Sequence, residues 1–395
     1  MRSDLDRVLA SIDREWIARE TAAMIQIPSV TMNEKDVCAH FQARLQSLGL
    51  KVDVREVTPG RNNLYACIRG SGGGPSLALN GHLDTIPIGS AWPYRRVGDR
   101  LHGRGTEDMK GGMAAMLAAG KALAESGLRL KGDLWLTAVV GHEEAEAQKD
   151  GPRALVEDVK TGRLPCDRIL IVEGDQSLWV MSMGSTVFSI TLESSLGGSH
   201  TNNVPFGNNP IRFMGELITA IRDLQVRLDA GARHPLAGPE RIDIGIAQAG
   251  DYHNRTPVRC YIEGTRRWMP GKTVHDIVRE IEEIARPIAH AGDLTLSVSH
   301  VMEREPFEVA ADDPAVIAAR NAASIVTGRA PPLVGRRIVG DANIYANGSG
   351  TPTFYYGPAY STAHSDDEWV DIADLEISAK VYAITAIHYC GIASN

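Results

Sequence analysis

Between Ser76 and Val172 the sequence alternates short apolar runs with helical stretches, and this alternation constrains the fold more than any other feature. The strand-like runs cover residues 76–80, 133–140 and 168–172, and the helical patterns cover 110–126 and 152–159. Strands that alternate with helices form a largely parallel sheet covered by helices. We therefore predict an α/β fold, in which a ligand binds beyond the carboxyl ends of the strands.

The segments on either side extend this prediction. Apolar residues recur at helical spacing between Leu5 and Ile17, so we expect the chain to open with one long amphipathic helix. A second helix over 36–48 ends at Gly49, a residue suited to a C-cap. Strands are predicted over 52–57, 64–68 and, far downstream, 353–356.

The pattern changes between Gly184 and Ser299, where several strands and two helices follow without the strand-helix rhythm. The predicted strands are 187–192, 242–247 and 259–265, and the predicted helices are 211–228 and 273–289. A chain of 395 residues exceeds the usual size of one hydrophobic core. We therefore predict a small α+β module inserted into the larger domain, with the limits 1–183, 184–299 and 300–395.

Charge and cysteine content narrow the function classes. The net charge is −8, and lysines and arginines are scattered, which argues against nucleic acid or a membrane as partner and favours a small-molecule substrate. The 5 cysteines are far apart and never Cys-x-x-Cys, so neither a disulfide framework nor a thiolate zinc site is indicated. The N-terminus is charged where a signal peptide is apolar, which predicts a cytoplasmic protein.

Side chains suited to metal chemistry follow the predicted strands. His82 and Asp84 lie at a strand's end, as a zinc ligand and the carboxylate that fixes its tautomer would. For this pair alone, a histidine satisfied by a nearby acid in a turn is the alternative. Further candidates in comparable places strengthen the metal interpretation, and they are Asp108, Glu143, Glu144, Glu173 and His364.

Histidines and carboxylates without sulfur suit a pair of divalent cations, with zinc first and cobalt or manganese as alternatives. A two-metal site needs one bridging carboxylate, ions about 3.5–4 Å apart, and a base for the shared water. Asp108, in a loop just before a helix, can bridge. Glu143 and Glu144 are adjacent, so their side chains point in different directions, and one can bind a cation while the other reaches the water.

Two segments carry a family resemblance, Gly81-His82-Leu83-Asp84-Thr85-Ile86-Pro87 and Gly103-Arg104-Gly105-Thr106-Glu107-Asp108-Met109-Lys110-Gly111-Gly112. They resemble the most specific motifs of the M20 family of metallopeptidases and amidohydrolases. This family includes acetylornithine deacetylase, succinyl-diaminopimelate desuccinylase, aminoacylase and glutamate carboxypeptidase. The resemblance extends from about Ala22 to Ile387. It implies a zinc-peptidase-like catalytic domain interrupted by a lid and dimerisation domain, and therefore a homodimer.

The resemblance also implies the roles of the candidate residues. The metal ligands form two sets that share one carboxylate, with His82, Asp108 and Glu173 for one zinc and Asp108, Glu144 and His364 for the other. Glu143 becomes the general base, and Asp84 becomes the residue that orients His82.

Three residues of the inserted module acquire roles in the same way. Gly198-Ser199-His200 resembles the lid segment whose histidine reaches a partner subunit's active site to stabilise the oxyanion. Asn254 and Arg267 resemble lid residues that contact a substrate carboxylate. Because these motifs are loose, a turn-capping asparagine and a surface arginine are the alternatives.

The chain departs from the family pattern beside the predicted pocket. His142 stands where members usually carry Asp, and residues 145–150 replace a small, glycine-containing stretch. Glu173-Gly174-Asp175 differs from the common Glu-Pro-Thr, which leaves Asp175 as an alternative ligand to Glu173. Because these changes border the predicted substrate pocket rather than the ligands, we expect the chemistry to be retained and the substrate specificity to be unusual.

The implied function is hydrolysis of an amide or related C–N bond in a small carboxylate-bearing substrate, such as an N-acyl amino acid or a dipeptide. A metal-bridging hydroxide would attack the carbonyl, with Glu143 as general base. One alternative is a metal-dependent aminohydrolase that releases ammonia from an activated aryl amine. Another is a catalytically silent metal-binding member of the fold.

Overall fold

The computed structural model describes residues 2–91 and 93–393. The chain forms two compact units. The larger unit comprises Met1–Val180, Val309–Val334 and Ile344–Asn395, and the smaller unit comprises Met181–Glu308 and Gly335–Asn343. Among the helices of the described residues, none combines the length and the apolarity that crossing a bilayer requires.

The larger unit is built on a mixed sheet whose middle strands are parallel. In spatial order its strands are Val52–Thr58, Arg61–Ile68, Leu134–Val139, Leu77–His82, Arg168–Ile171, Thr353–Tyr355 and Leu178–Ser182. The pairings among the four strands from Leu134–Val139 to Thr353–Tyr355 are parallel, and the pairings beyond them are antiparallel. The predicted α/β class with a largely parallel sheet is therefore confirmed.

The helices of the larger unit cover this sheet. They are Arg2–Ala10, Arg14–Ile25, Lys35–Ser47, Lys110–Glu125, Asp150–Lys160, Pro314–Thr327 and Ile372–Cys390, with 3-10 turns at Gly89–Ala91 and Ala145–Ala147. A small antiparallel sheet of the strands Arg95–Val97, Arg100–His102 and Trp369–Asp371 lies beside them. Every residue of Leu77–His82 and Leu134–Val139 is buried, which is why these strands read as continuous apolar runs.

The start of the chain differs from the prediction. Two helices, Arg2–Ala10 and Arg14–Ile25, replace the single long helix expected there. The side chain of Asp13 accepts hydrogen bonds from the backbone N–H groups of Glu15 and Trp16 at 2.8 and 3.2 Å. Asp13 is therefore an N-cap that begins a second helix, and the prediction of an unbroken helix was wrong.

The smaller unit is an antiparallel sheet with two helices. The strands, in spatial order, are Arg241–Ala249, Arg259–Trp268, Gly184–Ser194 and Leu294–Arg304. The helices Pro210–Ala230 and Val274–Ala291 pack on this sheet through a core that includes Phe188, Ile190, Phe213, Leu217, Ile277 and Ile281. The shorter elements are the hairpin of Arg233–His234 and Gly238–Pro239 and the 3-10 turns Thr201–Asn203 and Phe206–Asn208.

Among the described residues, three elements contain residues of both units. The strand Leu178–Ser182 begins in the larger unit and ends in the smaller one, where Phe307–Glu308 pairs with it. The strand Leu333–Arg336 and the helix Asp341–Ser349 also contain residues of each unit.

Candidate metal centre

The candidate ligands converge at the carboxyl edge of the parallel strands. His82 is the last residue of Leu77–His82, and Glu143 and Glu173 follow the next two strands. His364 follows Thr353–Tyr355 after a loop. Because the carboxyl ends of parallel strands share one edge of a sheet, residues far apart in sequence lie close together there.

Asp108 lies at the centre of this group. Its Oδ1 is 3.0 Å from His82 Nε2, and its Oδ2 is 3.2 Å from His364 Nε2. His364 Nε2 is also 3.5 Å from Glu143 Oε2. Ligand atoms of His82, Asp108 and Glu143 all lie within 4.8 Å of one another. Asp108 therefore presents one oxygen to each histidine, as a bridging carboxylate would.

Glu173 and Asp175, the two alternative ligands, have different surroundings, and the choice of Glu173 stays a prediction. Glu173 is only 5% exposed, and burial together with the charge of Asp108 raises its pKa to about 8. Asp175 Oδ1 instead accepts hydrogen bonds from the backbone N–H and the hydroxyl of Ser177. Glu173 thus shares the electrostatic environment of Asp108, whereas the Asp175 side chain closes a local turn.

Glu143 and Glu144 are placed differently. In the part of the chain that the structure describes, the ligand group includes the Glu143 carboxylate and not that of Glu144. The backbone N–H of Glu144 donates to Thr31 Oγ1 at 3.3 Å. Glu143 Oε1 is buried and has no hydrogen-bond partner among residues 2–91 and 93–393. The base role of Glu143 and the ligand role of Glu144 stay predictions.

Asp84 orients His82 through its backbone. His82 Nδ1 lies 2.9 Å from the backbone carbonyl oxygen of Asp84 and 3.7 Å from its carboxylate. The carbonyl can only accept, so Nδ1 carries a proton and Nε2 faces Asp108. The sequence predicted the carboxylate of Asp84 for this task; the backbone carbonyl is the closer acceptor, and the role of the carboxylate toward His82 stays a prediction.

The buried Asp84 carboxylate instead holds the segment that carries Glu143. It accepts hydrogen bonds from the backbone N–H groups of His142 and Glu143 at 3.0 and 2.8 Å. It also accepts a hydrogen bond from the hydroxyl of Thr31, with 2.7 Å between Thr31 Oγ1 and Asp84 Oδ2. A carboxylate with two oxygens can accept all three donors, which an amide could not.

The electrostatics of the group suit a cation. Burial alone would lower the pKa of His82, but the hydrogen bond and charge of Asp108 raise it well above its ordinary value. Hydrogen bonds with Asp108 and Glu143 raise the pKa of His364 to about 10. Burial opposes ionisation of Asp108, yet the two histidines hold its pKa well below its usual range.

Carboxylates that hold protons on neighbouring histidines create the negative potential that a bound cation satisfies. The donors are imidazole nitrogens and carboxylate oxygens, and Glu143 Oε1 is a buried acceptor without a partner in the described part of the chain. The residues therefore fit divalent cations of the zinc, cobalt or manganese kind.

Three side chains to which the sequence assigned no role also belong to this region. The Tyr360 hydroxyl lies 3.4 Å from Asp108 Oδ2. The ring of His142 stacks on that of His82, with centroids 4.1 Å apart. Glu107 accepts a hydrogen bond from the backbone N–H of Thr362 at 2.5 Å. His142 stands out in the sequence because it occupies a position at which the similar family usually has Asp. No spacing or motif in the sequence singles out Tyr360 or Glu107.

The turn that carries Asp108 is fixed by Glu368, a fully buried residue. The Glu368 carboxylate accepts hydrogen bonds from the guanidinium of Arg104 and from the backbone N–H groups of Gly105, Glu107 and Asp108. The helix that follows needs Gly112, because a Cβ there would collide with the carbonyl oxygen of Val172. Gly112 therefore permits this helix to pack closely against the backbone just before Glu173.

The lid candidates lie in the smaller unit. The backbone N–H of Asn202 donates to His200 Nδ1 at 3.2 Å, so a neutral His200 carries its proton on Nε2. The side-chain amide of Asn254 lies 3.4 Å from that Nε2. Arg267 Nη1 donates to the backbone oxygen of Arg337 at 2.9 Å. The structure thus pairs His200 with Asn254, and the substrate-binding role of Arg267 stays a prediction.

Comparisons with known proteins point in one direction. The model of peptidase family M20/M25/M40 matches residues 78–388. An N-formyl-4-amino-5-aminomethyl-2-methylpyrimidine deformylase of Halalkalibacterium halodurans is 26% identical, over 98% of this chain and 98% of the relative. A succinyl-diaminopimelate desuccinylase of Methylobacterium sp. is 29% identical, over 91% of this chain and 92% of the relative.

Solved structures share the fold. The aminopeptidase PepT of Bacillus cereus superposes with a TM-score of 0.82 at 18% identity, covering 96% of this chain and 99% of its own. The Bacillus subtilis YXEP protein, described as a dinuclear metal-binding peptidase, superposes with a TM-score of 0.70 at 16% identity, covering 95% and 97%. These likenesses extend over nearly the whole of each chain.

Proposed function

The chain belongs to peptidase family M20/M25/M40, whose members hydrolyse amide C–N bonds, and from this premise we propose that it removes an acyl group from a small amide with the help of two divalent cations. The substrate class is an N-acyl amino acid, a dipeptide or a related N-acyl amine. The observation that carries the proposal is Asp108, which faces His82 with one carboxylate oxygen and His364 with the other.

Each residue of the group has a defined task in this reaction. Two bound cations would polarise the scissile carbonyl and lower the pKa of the attacking water. Glu143 takes the proton of that water on its Oε1, which has no hydrogen-bond partner among the described residues, and returns it to the leaving nitrogen. We propose His82, Asp108 and Glu173 as ligands of one cation, and Asp108, Glu144 and His364 as ligands of the other.

The oxyanion needs a donor, and we propose His200 of a partner subunit for that role. The tautomer supports this role, because the Asn202 N–H donates to Nδ1, so that a neutral His200 carries its proton on Nε2, the atom that faces the Asn254 amide. Large apolar side chains exposed on the smaller unit, Phe206 at 77% and Tyr252 at 62%, support burial in a homodimer. In this proposal Asn254 and Arg267 bind the substrate.

A panel of amides tests the reaction. We expect metal-loaded protein to release amine from at least one of N-formyl amines, N-succinyl amino acids, N-acetyl amino acids and dipeptides. Dialysis against a chelator should reduce the activity to the level of a blank, and zinc, cobalt or manganese should restore it. Ammonia released from aryl amines is measured in parallel. Release of ammonia alone, or no turnover on any amide with two cations bound, would contradict the proposal.

Mixing two inactive variants tests the shared site. His200→Ala and Glu143→Gln proteins should each be nearly inactive, whereas a re-equilibrated mixture should recover about a quarter of wild-type activity, because half of the dimers are hybrids with one complete site. The complete site of each hybrid dimer combines Glu143 of one subunit with His200 of the other. A mixture that stays inactive although copurification of two differently tagged subunits detects hybrid dimers would exclude donation across subunits.

A further inference from the structure

His364 is the most weakly supported member of the ligand group. Its side chain is 48% exposed, whereas that of His82 is only 1% exposed. Its backbone has a φ of +65°, in the left-handed region that residues other than glycine rarely adopt. His364 also lies in a loop rather than at the end of a strand. An imidazole on such a loop stays beside Asp108 only if other contacts hold the loop there.

Glu107 makes those contacts. It is fully buried, and it immediately precedes Asp108 in the chain. Its carboxylate accepts a hydrogen bond from the backbone N–H of Thr362 at 2.5 Å and one from the hydroxyl of Ser361 at 3.3 Å. These are the hydrogen bonds its side chain makes in the described part of the chain. The carboxylate therefore ties the turn of Asp108 to the loop of His364.

We propose that Glu107 is a positioning residue that holds His364 in reach of one cation and so sets the affinity of that cation position. The inference rests on the proposed function in requiring two cations, but it concerns only one of them. Glu107 does not touch the cation in this role, because its carboxylate is directed at Ser361 and Thr362.

The size of the effect follows from population arithmetic. The apparent affinity of a site equals its intrinsic affinity multiplied by the fraction of time that the site spends in the conformation able to bind. A charged carboxylate that accepts a short backbone hydrogen bond is a strong restraint on a loop. Without it, a loop that holds His364 correctly for a tenth of the time would bind its cation about tenfold more weakly.

The experiment is a metal titration of the whole protein. Apo-protein is titrated with zinc in competition with a chromogenic chelator, and separately with cobalt(II) while its visible absorption is recorded. For Glu107→Gln and Glu107→Ala we expect one cation to bind as in wild type and the other about 10- to 100-fold more weakly. Glu107→Gln should show the smaller loss, because its side-chain oxygen can still accept from Thr362.

Glu20→Gln is the matched control. Glu20 is also buried, and its carboxylate is held by His40 and Arg44. This control should bind both cations as wild type does. Unchanged binding of both cations in the two Glu107 variants, or an equal loss in Glu20→Gln, would overturn the inference. Wild-type protein that binds fewer than two cations would instead contradict the proposed function, so the two failures are distinguishable.

Discussion

Glu143→Gln should lower kcat by about 10²- to 10⁴-fold while the protein still binds two cations, because the substitution removes only the proton acceptor. The amide keeps the volume of the side chain and cannot take a proton from water. Glu143 Oε1 is buried and partner-free among the described residues, so the loss of its charge breaks no hydrogen bond of that atom. The measurement pairs kcat with the cation content of each preparation.

Glu144→Gln is the comparison that makes this test decisive. As a ligand, Glu144 should lose one cation on substitution, and activity should return in part at high metal concentration. The structure places the Glu143 carboxylate within the group of His82 and Asp108, so the opposite outcome has a clear meaning. The opposite outcome is that Glu143→Gln loses a cation, whereas Glu144→Gln keeps both cations and has no turnover. In that case Glu143 would be the metal ligand and Glu144 the general base.

The sequence predicted the parts of this site that depend on periodicity. Apolar runs mark buried strands, and the rule that ligands bind at the carboxyl ends of parallel strands singles out His82, Glu173 and the Glu143-Glu144 pair. These predictions needed only local patterns and one general property of α/β folds.

The remaining features depend on contacts between distant segments, which no local pattern encodes. Glu107 meets Thr362 across more than half of the chain, and Tyr360 meets Asp108 in the same way. The break in the first helix depends on the capping of two N–H groups by Asp13, which hydrophobic spacing does not register. The family motifs located Asp84, but its hydrogen-bond partners decided what its carboxylate does.

Asp84→Asn should separate the backbone and side-chain roles of Asp84. The amide nitrogen cannot accept a hydrogen bond, so at least one buried donor among Thr31, His142 and Glu143 loses its partner. Leaving such a donor unpaired costs about 1–3 kcal/mol. We expect the free energy of unfolding to fall by about that amount and kcat/KM to fall about 10- to 100-fold, because the segment of Glu143 is released.

Cation affinity at His82 should nevertheless change little in Asp84→Asn, because the backbone carbonyl that accepts from His82 Nδ1 is unaltered. Denaturant unfolding of apo-protein, steady-state kinetics and zinc titration together measure the three quantities. Asp158→Asn is the control for replacing a buried carboxylate by an amide. Asp158 accepts a hydrogen bond from the Tyr65 hydroxyl in another part of the larger unit. If Asp84→Asn lost its cations and kept the kinetics of wild type at saturating metal, the carboxylate would serve His82, and the backbone assignment would be wrong.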